Sequence, residues 1–64
     1  MTEKKALRTL RALKRLEVNA AEWQNAIRRN IPGAAEKCHR ALEAAENTRT
    51  NLVRDGIYPE RYHV

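Results

Sequence analysis

At 64 residues the chain has room for one domain, and a domain of that size buries only a modest share of its surface. The lone cysteine, Cys38, excludes an internal disulfide and fits a reducing compartment; with two scattered histidines, His39 and His63, it makes no zinc site. The formal charge of +5 is uneven: residues 1–30 hold eight Lys/Arg against three Glu, while residues 31–64 hold five of each sign.

The chain opens Met1-Thr2-Glu3-Lys4-Lys5, with no unbroken apolar run behind it. No secretion signal is expected. No segment approaches the roughly 20 apolar residues that span a bilayer. The expectation is a soluble cytoplasmic protein without a membrane role.

Thr2 suits the N-cap of a first helix, and Glu3 suits its positive end. From Glu3 to about Arg29 there is no Gly or Pro, and Ala, Leu, Lys, Arg and Glu dominate, so a helix over about 3–29 is predicted. At 100° per residue Leu10, Leu13, Leu16, Ala20, Trp23 and Ile27 share one broad apolar stripe that begins near Ala6. Trp23, the single tryptophan, is expected to anchor packing, with a partner contact as the other reading.

The stretch "RNIPGAAE" ends that helix. Asn30 can take the left-handed conformation, Ile31 is pushed from helical geometry by Pro32, and Pro32 and Gly33 suit the opening of a second helix. That second helix is predicted over about 33–55. Its apolar face carries Ala34, Ala35, Cys38, Ala41, Leu42, Ala45 and Leu52, mostly alanine, so a neighbouring helix can approach closely. Cys38 reads as a small buried apolar group. Asp55-Gly56-Ile57 is a stop signal, with Gly56 left-handed and Ile57 folding toward Leu52. Residues 1–57 thus form a helical hairpin and 58–64 a short tail, which either folds back or presents Tyr58 and Tyr62 to a partner.

The fold class is all-α: an antiparallel two-helix hairpin. Two helices cannot enclose a core, so self-association into a homodimeric four-helix bundle is expected. Leu10, Leu13, Leu16, Ala20, Trp23, Ile27, Cys38, Leu42, Ala45 and Leu52 are the core and dimer candidates.

Lys4, Arg8, Arg11 and Arg15 step by four, three and four, and so line one helix face opposite Leu13 and Ala20, with Lys5 and Lys14 beside them. Like charges at these spacings repel by a few tenths of a kcal/mol per pair. A solvated face, relieved by Glu17, Glu22 or the acids of helix two, is one reading. Contact with nucleic-acid phosphates or with an acidic protein are the others. Parts for catalysis are lacking: there is no glycine-rich phosphate loop and no Ser-His-Asp set, and Glu43 and Glu46 lack the Glu-x-x-His pattern of di-iron bundles. No enzyme and no cofactor are expected.

"MTEKKALRTLRALKRLEV" followed by "AAEWQNAIRRNIPG" resembles the small helical proteins encoded in the early region of lambda-like temperate phages, between the recombination and excision genes. That resemblance implies a non-enzymatic early accessory protein in the bacterial cytoplasm. It would shift the host cell cycle, replication or phage development by binding a host or phage protein. The resemblance carries over no site residues; from the residues themselves the protein-contact candidates are Arg8, Arg11, Arg15, Tyr58 and Tyr62, and the alternative is accessory nucleic-acid binding through Lys4, Arg8, Arg11 and Arg15.

Overall fold

The structure, a computed structural model, describes residues 2–62; Met1 and the last two residues of the expected tail, His63 and Val64, lie outside the described residues. Helix α1 spans Glu3–Arg28, helix α2 spans Ala34–Arg54, and a 3₁₀ turn covers Pro59–Arg61. The two helices pack antiparallel as a hairpin, the all-helical architecture expected from their periodicity. The body measures 41 × 19 × 15 Å. Its radius of gyration is 13.2 Å, where a compact chain of this length would give about 10.7 Å. It is a rod, one helix pair thick.

Local chemistry sets each helix end. Thr2 is extended, and its Oγ1 accepts from the Lys5 amide at 3.3 Å. At the far end Asn30 takes φ +59°, Asn30 N donates to Ile27 O, and Ile31 N donates to Ala26 O. That is a Schellman motif with Asn30 in the left-handed position. The same motif ends α2: Gly56 has φ +83°, Gly56 N donates to Val53 O, and Ile57 N donates to Leu52 O. Ile57 thereby packs on the core cluster containing Leu52.

The connection corrects one expectation. Pro32 and Gly33 lie before α2, not in its first turn. Gly33, with φ +78° and ψ −2°, is the third residue of a turn closed by Ala34 N donating to Ile31 O at 3.2 Å. Proline second and glycine third is the type II pattern, in which the third residue needs positive φ.

The interface is built from unequal partners. The Cys38 thiol donates weakly to the Ala20 carbonyl at 3.5 Å, a contact that marks the register between the helices. Seven residues on, Leu13 comes level with Ala45, and seven further, Ala6 with Leu52. At the last two of these levels a large side chain faces a small one, which lets the helices approach closely. Thr9 and Thr48 lie along the same seam; each turns its hydroxyl onto its own helix, to the carbonyls of Lys5 and Ala44.

Leu10, Leu13, Ala20, Cys38, Ala45 and Leu52 are buried, as are Ala6, Ala26 and Ala34. Four other candidates lie outside the core of the hairpin itself. Leu16 and Trp23 are half-buried, and Ile27 and Leu42 are 40% and 55% exposed. The cause is the narrowness of a two-helix seam, which follows Ala34, Cys38, Ala45 and Leu52 along α2 and leaves Leu42 well to one side. On α1 the stripe is wider than α2 can cover, so the edge bearing Ala12, Leu16, Trp23 and Ile27 remains partly open.

Candidate partner-binding face

Four cations are gathered on α1 by helix geometry alone. Lys4, Arg8, Arg11 and Arg15 lie within about 60° of one another around the axis and span about 16 Å along it. Together with Leu7 they line one shallow trough on the side of α1 turned away from α2. All four are exposed.

The ion pairs lie elsewhere. Among the described residues, Arg40 pairs with Glu36 at 2.6 Å, His39 approaches Glu43 at 3.7 Å, and Arg49 reaches Glu17 at 3.6 Å and Glu60 at 3.4 Å. None of the seven Lys and Arg side chains of α1 takes part. Three of the acids that could have relieved the row are turned to other partners, Glu17 to Arg49, Glu36 to Arg40 and Glu43 to His39, while Glu22 and Glu46 enter no ion pair with it among the described residues. The like-charge repulsion along the row is therefore left standing in the isolated chain.

The tyrosines named beside the arginines as contact candidates are not part of the trough. The tail turns back along α1 on another side, where Pro59, Glu60 and Tyr62 close a cleft of about 300 Å³ with Leu10, Leu13, Lys14, Glu17 and Arg49. Tyr58 is exposed and stacks under the Arg61 guanidinium, 5.1 Å from the ring centroid. The candidate set thus divides into a basic trough and a tail cleft.

Sequence reasoning missed Arg49, which ties α1, α2 and the tail together through Glu17 and Glu60. Its partners are 32 and 11 residues distant, beyond any local pattern. The Trp23 environment was also unread: the Lys37 ammonium sits 4.6 Å from the ring centroid and screens the edge that α2 leaves uncovered. Cys38 is buried against the Ala20 carbonyl, while Lys37 and His39 engage Trp23 and Glu43.

Among the described residues no three His, Cys, Asp or Glu side chains gather as a metal would need, and no helix is long and apolar enough to cross a membrane. No family model matches the chain, and neither characterised proteins nor solved structures yield a match.

Proposed function

We propose that this chain is a non-enzymatic interaction module that engages an anionic partner through the basic face of α1. One observation carries the reading: Lys4, Arg8, Arg11 and Arg15 converge on one trough, and none of the four pairs with an acid among the described residues. An arrangement that costs helix stability in the free chain is relieved when an anionic surface meets it. The phage early-region resemblance adds a setting to the proposal: an accessory protein of the bacterial cytoplasm that biases host replication or phage development.

The working form in this proposal is a homodimer. The chain exposes 5150 Å², whereas a folded monomer of 7.4 kDa exposes about 4200 Å². The surplus of roughly 950 Å² is of the order of the ~800 Å² that each partner contributes to a standard interface. The surface to be covered is the open edge of α1, with Leu16, Trp23 and Ile27 at its centre. A second hairpin laid against it completes a four-helix bundle.

Two measurements test the proposal. Retention on a sulfated polysaccharide column should be strong for the native chain and lost in the R8E/R11E/R15E variant, with helicity by circular dichroism unchanged. A native chain that flows through at low salt refutes the basic-face reading. Sedimentation equilibrium should give twice the 7.4 kDa chain mass, reverting to one in Leu16→Glu; a monomer at hundreds of micromolar refutes the dimer.

A further inference from the structure

We infer that the anion met by this face is the phosphate backbone of double-stranded nucleic acid, bound without regard to sequence and over about four phosphates per chain. The inference rests on the reading of the basic face as the working surface, and it names the partner. Three features of the trough select a duplex.

The trough is shallow, open and elongated. Its cations run along about 16 Å of helix, and no polar or charged side chain of the described residues is buried. A free phosphate would find no enclosed donors here, whereas a row of phosphates presents charge along a comparable line. Three of the four cations are arginines, whose planar forks hold phosphate oxygens in pairs.

The trough also lacks an aromatic residue; Leu7 is its one apolar member. Single strands are held largely by bases stacked on aromatic rings, worth about 1–3 kcal/mol each. Protein partners are held by aromatic or arginine anchors desolvated in pockets, whereas the three arginines here are exposed on an open helix face. Trp23, Tyr58 and Tyr62 all lie elsewhere. A duplex backbone requires neither stacking nor an apolar anchor.

The row has a defined end. Continued along the same line of α1 it meets Val18 and then Glu22, eighteen residues or five full turns from Lys4. Glu22 is exposed and enters no ion pair among the described residues. A carboxylate in line with the cations bounds the phosphate contacts to the first half of the helix.

Counterion release turns this geometry into numbers. Four phosphate contacts predict, for each chain engaged, a slope of log K against log salt of about −3.6 on duplex and about −2.8 on a single strand. The experiment is fluorescence anisotropy titration across a salt series with a random-sequence DNA duplex, an RNA duplex, a single strand of equal length and poly-glutamate. The expected order is both duplexes together, then the single strand, then poly-glutamate. Glu22→Lys should extend the row and steepen the duplex slope by about 0.9 per chain engaged. Glu46→Lys, the same charge change on an exposed position of α2, should leave the slope near its native value.

Binding to single strand or poly-glutamate as tight as to duplex overturns the inference while leaving the polysaccharide result, and the broader reading, intact. So does a preference of more than roughly tenfold for one duplex type, or equal slopes for Glu22→Lys and the native chain. Failure to bind any polyanion overturns both.

Discussion

The two helices of this hairpin meet along one seam and differ in almost everything else. Helix α2 presents mostly small residues to that seam, with Leu52 the exception, and its Arg40 and His39 face acids one turn away on the same helix. Helix α1 supplies Leu10 and Leu13 beside the small Ala6 and Ala20, and keeps two faces unsettled: a wide apolar edge that α2 only partly covers, and a basic row in no ion pair among the described residues. A helix that settles its own charges is a support. A helix that leaves charge and apolar surface open is where partners act, which is why both proposed contacts fall on α1.

The seam can be broken from either side. Leu52→Ala should have the largest effect, since Leu52 is fully buried at 0% exposure; losses of about 2–5 kcal/mol are usual for such a change. Read by urea denaturation at fixed chain concentration, a cost under about 1 kcal/mol would show that the seam is not the core. Ala45→Leu tests the small side of the same layer. Leu13 already fills the space opposite, so overpacking should cost about 1–3 kcal/mol. A neutral result would mean that α2 does not need small residues to approach α1.

The distinction between faces of α2 is sharpened by Leu42→Ala. At 55% exposure Leu42 lies beside the seam, so the change should stay within about 0.5 kcal/mol. A larger loss that grows with chain concentration would place Leu42 inside an assembly. Arg49→Ala tests the tie to the tail. Its pairs are half-exposed, worth up to about 1 kcal/mol together. The clearer readout is faster amide exchange at Ile57–Tyr62 with α1 unchanged. The smallest effect belongs to Asn30→Gly, which should stabilise by a few tenths of a kcal/mol because φ +59° favours glycine.

Helices, their ends and the basic row were legible in the amino-acid sequence, because each is decided within a turn or two of backbone. Thr2 caps because its own hydroxyl reaches Lys5 N, and Asn30 and Gly56 end their helices because they tolerate positive φ. Lys4, Arg8, Arg11 and Arg15 share a face because 3.6 residues make a turn. The Pro-Gly pair was legible as a turn, and its type was there to be read, but its place outside α2 emerged with the coordinates.

Tertiary structure decided which apolar residues of an over-wide stripe would be covered. Leu16, Trp23 and Ile27 follow the helical period as well as Leu10 and Leu13 do, yet one partner helix is too narrow to cover them all, and Ala20 beside Cys38 marks where it lies. It also decided that Arg49 would join Glu17 and Glu60, and that the tail would run beside the basic trough rather than into it. Periodicity places a side chain on its own helix; only the size match across the seam, Leu against Ala, places one helix on the other.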